Sequence, residues 1–512
     1  MTIGSMMVLA AAVFAGSGEY DRLQRQVDML DAAADRVWEY CLDKAAFEKR
    51  KAAMRKAFID GIGGFPERTP LNARTTAVVR RDGYTIEKVL FESQPKHYVT
   101  ALAFVPDPAK FKAPYPAVLV PCGHSRGGKD SAGYQRACVM GAKEGLLMLI
   151  YDPIDQGERA QNSVGWNRGP CYGHNTTGIQ ALRFGGSTAR FRIWDGIRAL
   201  DYLCSRKDVD GDRLGCMGNS GGGTLTSYLM ALDPRIKAAS PSCYISSIRA
   251  VTRAIGPQDA EQCIYGQLPA GLNHASLVLM GSAAVRLQVS EKDFFPLDGA
   301  KETFRVVKKA AEKFGLGGRY DMTVVAGPHG WKESSRRSSL DWMRQWLLGE
   351  KQTRTEADYR ALDVGFDLTK VDCGLPASEV NVTPTGSVAD IPGSRSVYDI
   401  MRDEALAKVK APVLELKDEL QAAHLFYSSR DPSEEKAMLC QMLGVSLVEE
   451  RMKYIFENAK KAGRPFLYAH GSWCVPARKA YEKSPELFAG IMTVDDRNFA
   501  DVVRGELKDA VR

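Results

Sequence analysis

The chain has no long apolar run, no basic stripe and few cysteines, and each absence excludes something. No segment reaches the roughly 18 uncharged apolar residues of a membrane-spanning helix, so no membrane span is expected. Its 69 basic and 62 acidic residues give a net charge of +7, but they are scattered along the chain. A nucleic-acid surface gathers Lys and Arg on one face, so no nucleic-acid partner is expected. The 11 cysteines include no C-x-x-C pair, which removes the familiar zinc and thioredoxin spacings and leaves disulfides unnecessary. No short-period repeat is visible, which argues against a propeller or solenoid.

What remains is an apolar content of 45% and a charged content of 26%, the balance of a soluble globular chain with two or three domains. The apolar run MMVLAAAVF at 6–14 ends in a small-residue cleavage pattern around Val13, Phe14 and Ala15, but no basic stretch precedes it. Residues 1–17 are thus a candidate signal peptide, with export and a cytoplasmic location both open. Helical periodicity from about 19 to 60 predicts one long amphipathic helix within an N-terminal helical segment, 18–74. Strands are expected at 76–81, 85–91 and 98–105, separated by the turn signals Asp82-Gly83 and Gln94-Pro95. Short apolar runs at 117–120, 146–150, 213–217, 236–239, 285–289 and 322–325 follow. Helical segments at about 131–145, 189–206 and 333–348 lie among them. This is the texture of an α/β domain, 75–350, with a mostly parallel sheet covered by helices on both faces. A Pro-, Gly-, Thr- and Ser-rich stretch within 351–396 reads as a linker or exposed crossing, and 397–512 as a smaller α/β unit.

Gly218-Asn219-Ser220-Gly221-Gly222 fits G-x-S-x-G, a serine on a sharp strand-to-helix turn. The string alone is weak, but an apolar strand before it and an amphipathic helix after it are the surroundings it needs. A serine hydroxyl requires a base, and the base an orienting carboxylate, in the order Ser, acid, His. Asp293 follows the 285–289 strand, with Glu291, Asp298 and Glu261 as alternatives. His329, in Ala326-Gly-Pro-His-Gly-Trp331, follows the last strand of the sheet. The loop Pro121-Cys-Gly-His-Ser-Arg-Gly-Gly128 is expected to supply an oxyanion amide near His124 or Ser125, beside the Gly221 N–H. Gly127-Gly128-Lys129 fails as a phosphate cradle, because Asp130 stands where Ser or Thr is needed. Loops 156–188, with Trp166, His174 and Arg183, and 244–275, with Arg249, Glu261 and Gln262, are long enough to form a substrate wall. Within them Trp166 is suited to stacking on a sugar ring.

Together with Tyr151-Asp-Pro-Ile-Asp-Gln-Gly-Glu-Arg159, Trp194-Asp-Gly-Ile-Arg198, Asp293-Phe-Phe-Pro296 and Gly327-Pro-His-Gly330, the elbow resembles the acetyl xylan esterase-related branch of the alpha/beta-hydrolase superfamily. The likeness covers about residues 56 to 349. It implies a metal-independent, cofactor-free serine esterase acting on acyl groups of polysaccharides or other small esters, with catalytic Ser220, Asp293 and His329. A serine peptidase of the same fold and a non-catalytic binding protein are the alternatives. The trailing unit resembles a degenerate second hydrolase domain, with Gly471 at the nucleophile position and Trp473 where a small residue is needed.

Overall fold

The structure, a computed structural model, describes residues 18–161, 169–183, 187–408, 466–470 and 490–494, together with Met442, Glu482 and Pro485. Its centre is a nine-stranded sheet in the order β1-β2-β3-β5-β4-β6-β7-β8-β9. Strands β1 (Arg74–Arg81), β2 (Tyr84–Gln94) and β3 (His97–Pro106) form an antiparallel edge. The parallel part comprises β4 (Tyr115–Pro121), β5 (Leu147–Tyr151), β6 (Val209–Asn219), β7 (Ile236–Ser242), β8 (Ala284–Lys292) and β9 (Tyr320–Pro328). Every residue of β4 and β5 is buried, as a strand covered on both faces requires.

The expected single N-terminal helix is two, α1 (Gly18–Glu39) and α2 (Lys44–Gly61). Asp43 caps α2, its carboxylate accepting from the amides of Ala45 at 3.3 Å and Ala46 at 2.8 Å. The break brings Trp38 and Phe47 edge to face at 5.4 Å, both fully buried, which a straight helix would not allow. Sequence periodicity persists across such a turn because both helices bury a face on the same body.

The remaining helices that bear on the site are α3 (Ala132–Ala142), α4 (Pro170–Arg183), α5 (Thr188–Ser205), α6 (Gly221–Leu232), α7 (Ile248–Ile255), α8 (Leu297–Glu312), α9 (Glu333–Leu347) and α10 (Val397–Lys408). Two of them, α4 and α7, lie in the segments expected as substrate-wall loops. The stretch 351–396 lies on the body: Leu375, Val380, Val382 and Val388 are buried in one apolar cluster with Leu102, Phe104, Ala137 and Cys138. Glu158 fastens it, accepting from the amides of Val382 at 2.7 Å and Thr383 at 2.8 Å while pairing with Lys129 at 2.6 Å. In the trailing unit, Phe466–His470 pairs in parallel with Gly490–Val494; Gly471, Ser472 and Trp473 lie outside the described residues.

The chain runs from β4 outward to β5 and then returns to β6 on β4's other side. The carboxyl ends of β4 and β6 therefore flank a topological switch point, where open α/β sheets bind ligands. One carries the 121–125 loop and the other Ser220.

Candidate active site

Ser220 joins β6 to α6 with φ 59° and ψ −125°, a left-handed backbone that a serine adopts only where its surroundings enforce it. Its amide donates to the Ser242 carbonyl at 2.9 Å, and its own carbonyl accepts from Thr224 at 2.9 Å. The turn is thus pinned on β7 behind and on α6 ahead, and the half-buried side chain stands at the start of the helix, where amides and dipole favour negative charge.

His329 lies just past β9, and its Nδ1 is 2.8 Å from Asp293 Oδ1. That oxygen also accepts from the Phe295 amide at 3.1 Å, and the Asp293 side chain is 1% exposed. Phe294 stacks on the imidazole at 4.2 Å between centroids, so ring plane and tautomer are fixed together. The two loops meet through β7: Ser242 holds the Ser220 amide, and the Cys243 thiol donates to the Gly330 carbonyl at 3.7 Å. The other candidate acids are engaged elsewhere or placed elsewhere. Glu291 pairs with Arg360 at 2.9 Å, Asp298 is in the first turn of α8, and Glu261 is buried in a separate cluster.

The 121–125 loop lies against the elbow, since a Cβ on Gly123 would come 3.1 Å from Ser220 Cβ. Tyr134 ties the two together, its hydroxyl accepting from the Gly123 amide at 2.7 Å and donating to the Asn219 carbonyl at 2.9 Å. Gln156 holds the same loop by its carbonyls, donating to Gly123 and Ser125 at 2.6 Å each. The Ser125 amide is spent on the Gly123 carbonyl at 2.7 Å. Of the three loop amides, that of His124 has no acceptor among the described residues.

The His124 side chain turns away into a second group. Its Nε2 is 2.8 Å from Asp259 Oδ2, 3.0 Å from Glu261 Oε1 and 3.2 Å from His174 Nδ1. His174 Nδ1 is in turn 2.9 Å from Asp259 Oδ2 and 3.3 Å from Arg192 Nη1, and Arg192 also contacts Glu261 Oε2. Burial and the Arg192 charge push His174 down to about 4. For Asp259 the histidines outweigh burial and hold the carboxyl well below its ordinary range. This cluster touches the elbow, since a Cβ on Gly221 would lie 2.7 Å from the His124 ring.

Sequence reasoning brought forward Ser220, Asp293, His329, Gly221 and His124; Asp293 pairs with His329, and the His124 ring lies against Gly221. It also named His174 and Glu261 as substrate-wall residues; both side chains are fully buried, in the His124 cluster. Arg183 closes α4, Trp166 lies outside the described residues, and Arg249 is tied to Asp31 of α1 at 2.7 Å. Tyr134, Gln156, Arg192 and Asp259 were missed. Only Gln156 carried a signal, as part of the 151–159 motif; the other three sit in unremarkable surroundings.

A sheet of this order with a strained serine on a strand-to-helix turn defines the alpha/beta-hydrolase fold. Residues 76–264 match the acetyl xylan esterase (AXE1) family. The matched stretch contains the elbow and ends before Asp293 and His329. Over 201 residues the chain is 30% identical to the Bacillus subtilis (strain 168) protein named "Putative hydrolase YtaP". That match covers 38% of this chain and 64% of the relative, so it spans less than two thirds of the relative's length. The solved structure of methylesterase BT1017 superposes with a TM-score of 0.57 at 21% identity, covering 74% of this chain and 81% of that one. It shares the fold.

Proposed function

We propose that the protein is a serine carboxylic ester hydrolase that removes acetyl or similar acyl groups from carbohydrate esters. The observation that carries the reading is the Asp293–His329 contact at 2.8 Å in a chain whose elbow serine is held at positive φ. With Nδ1–H committed to Asp293, the Nε2 lone pair of His329 is the one available to take a proton. Ser220 Oγ loses its proton to His329 and bonds to the ester carbonyl carbon, and the Gly221 amide with that of His124 stabilises the oxyanion. Collapse breaks the bond to the alcohol, which leaves with the proton from His329. Water then gives its proton to His329 and attacks the acyl-serine, releasing the acid and restoring the Ser220 hydroxyl.

The test is a panel of acetylated xylan, a glucuronate methyl ester, p-nitrophenyl esters and aminoacyl amides, run beside labelling with a fluorophosphonate probe. Acetyl esters are expected to turn over faster than amides, with the label on the peptide containing Ser220. Faster amide cleavage would replace the esterase reading with a peptidase one, and an unlabelled, inert but folded chain would leave only a binding protein.

A further inference from the structure

The four side chains of the His124 cluster converge on one another in a way that ordinary hydrogen bonding does not satisfy. His174 Nε2 faces the Ile154 carbonyl at 3.2 Å, an acceptor only, so Nε2 carries the ring proton and Nδ1 presents a lone pair. That lone pair faces Asp259 Oδ2, itself an acceptor, at 2.9 Å, nearer than the Arg192 Nη1 donor at 3.3 Å. His124 Nε2 has at most one proton and three acceptors within 3.2 Å. Among the described residues, Asp259 Oδ1 and both oxygens of Glu261 are buried without a hydrogen-bond partner of proper geometry, although His124 and Arg192 lie against the Glu261 oxygens. Buried lone pairs turned on a common point are costly unless a positive charge sits between them.

We infer that His124 Nε2, His174 Nδ1, Asp259 Oδ2 and Glu261 Oε1 form a site for a divalent transition-metal ion of the zinc class. These ligand atoms lie within 4.8 Å of one another. Zinc bonds of about 2.0–2.2 Å in a tetrahedron put neighbouring donors about 3.3 Å apart. The four recorded separations, 2.8 to 3.2 Å, fall a few tenths short of this. Two imidazoles and two carboxylates suit zinc better than the all-oxygen preference of calcium or magnesium. The outer contacts fit as well. His174 donates its other N–H to a backbone carbonyl, and Arg192 holds the Glu261 oxygen turned away from His124, the support that orients metal ligands. Because the His124 ring lies on Gly221, the ion fixes the 121–125 loop beside the elbow and adds positive potential there without touching the serine. The resemblance implies metal-independent chemistry, and this site leaves the chemical step to Ser220 and His329.

The experiment is zinc binding by the full chain, stripped with a chelator, dialysed and titrated against a chromophoric competitor, with metal counted after gel filtration. One zinc per chain is expected, with cobalt giving the visible absorbance of a four-coordinate site and zinc raising Tm. Asp259→Asn and His174→Ala, checked for native circular dichroism, should bind at least ~100-fold more weakly. Zinc uptake should be unchanged in Ser220→Ala, so loss of esterase activity and loss of the metal site are read separately. No uptake by the folded, unmutated chain overturns the inference and leaves Arg192 and a proton on His124 as the positive charges of the cluster, whatever the variants do. Undiminished uptake by folded Asp259→Asn also overturns it.

Discussion

His329 and His124 each have a buried carboxylate oxygen at 2.8 Å, yet they are built differently. His329 has one carboxylate partner at Nδ1, keeps 21% of its side chain exposed, and its other nitrogen has no partner among the described residues. His124 crowds three acceptors onto a single nitrogen. An imidazole serves as a base through a lone pair that substrate-side protons can reach. On the proposed reading a histidine beside a carboxylate is not enough, and the second nitrogen decides between proton transfer and ligation.

The sharpest way to break this contrast is to remove the proposed nucleophile. Ser220→Ala should lower kcat by up to ~10⁶-fold and abolish probe labelling, leaving the residual rate from oxyanion binding. An acyl adduct found by mass spectrometry on a peptide beyond residue 396 would move the catalytic centre to the trailing unit. Ser472→Ala is expected to leave turnover unchanged.

The two carboxylates come next. Asp293→Asn should reduce kcat by about 10⁴-fold, because an amide can donate to Nδ1 and favour the wrong tautomer. Glu261→Gln, in the other group, should act on the loop and on metal affinity more than on the chemical step. Near-normal turnover in Asp293→Asn together with collapse in Glu261→Gln would exchange the roles of the two histidine groups.

Gly221 is where the groups meet. A methyl at this position would sit 2.7 Å from the His124 Cε1 and 3.2 Å from Glu261 Oε1, so the ring or the helix start must shift. Gly221→Ala should therefore cost about 10²-fold in kcat, the order expected when an oxyanion donor is displaced, with KM changed far less. Wild-type kcat in Gly221→Ala would show that the elbow does not depend on the His124 packing.

Much of the serine side was legible in the sequence, because its parts are local patterns. The elbow needs small residues at fixed spacing around Ser220, and Asp293 and His329 each follow an apolar strand that a period-2 or continuous apolar reading finds. The sheet was legible for the same reason, down to the Asp82-Gly83 turn. The His124 cluster was not legible as a unit: its four members span positions 124 to 261, come from a loop, from α4 and from the segment after α7, and share no spacing. His174 and Glu261 were picked out as polar residues in long segments. Nothing local says that α4 and its neighbours fold inward and bury them. The break at Tyr40–Asp43 was hidden because the helical period resumes beyond it.

A third set of buried carboxylates calibrates the other two, since it has an arginine and no histidine. Asp31 and Asp35 of α1 share Arg249 of α7 at 2.7 and 2.9 Å, with Glu302 on the same guanidinium and Asn273 donating to Asp35 at 2.7 Å. Burial, and then the charge of Asp31, push Asp35 up to about 6, opposite to the lowered Asp259. A raised acid binds its proton more tightly in the folded chain than in the unfolded one, where an aspartate titrates near ~3.9. Its contribution to stability is therefore fully present below about pH 4 and is lost as pH rises through about 6. The contact of α1 with α7 should weaken from pH 5 to pH 7.5. Asp35→Asn, which keeps the shape and a polar partner for Arg249 and Asn273, should flatten that part of the Tm profile and shift Tm at pH 7.5 upward by a degree or so relative to the unmutated chain. The difference between the two profiles isolates Asp35 from every other titrating group. Parallel profiles would mean that Arg249 and Asn273 hold Asp35 ionised throughout, and the contrast with Asp259 would then rest on geometry alone.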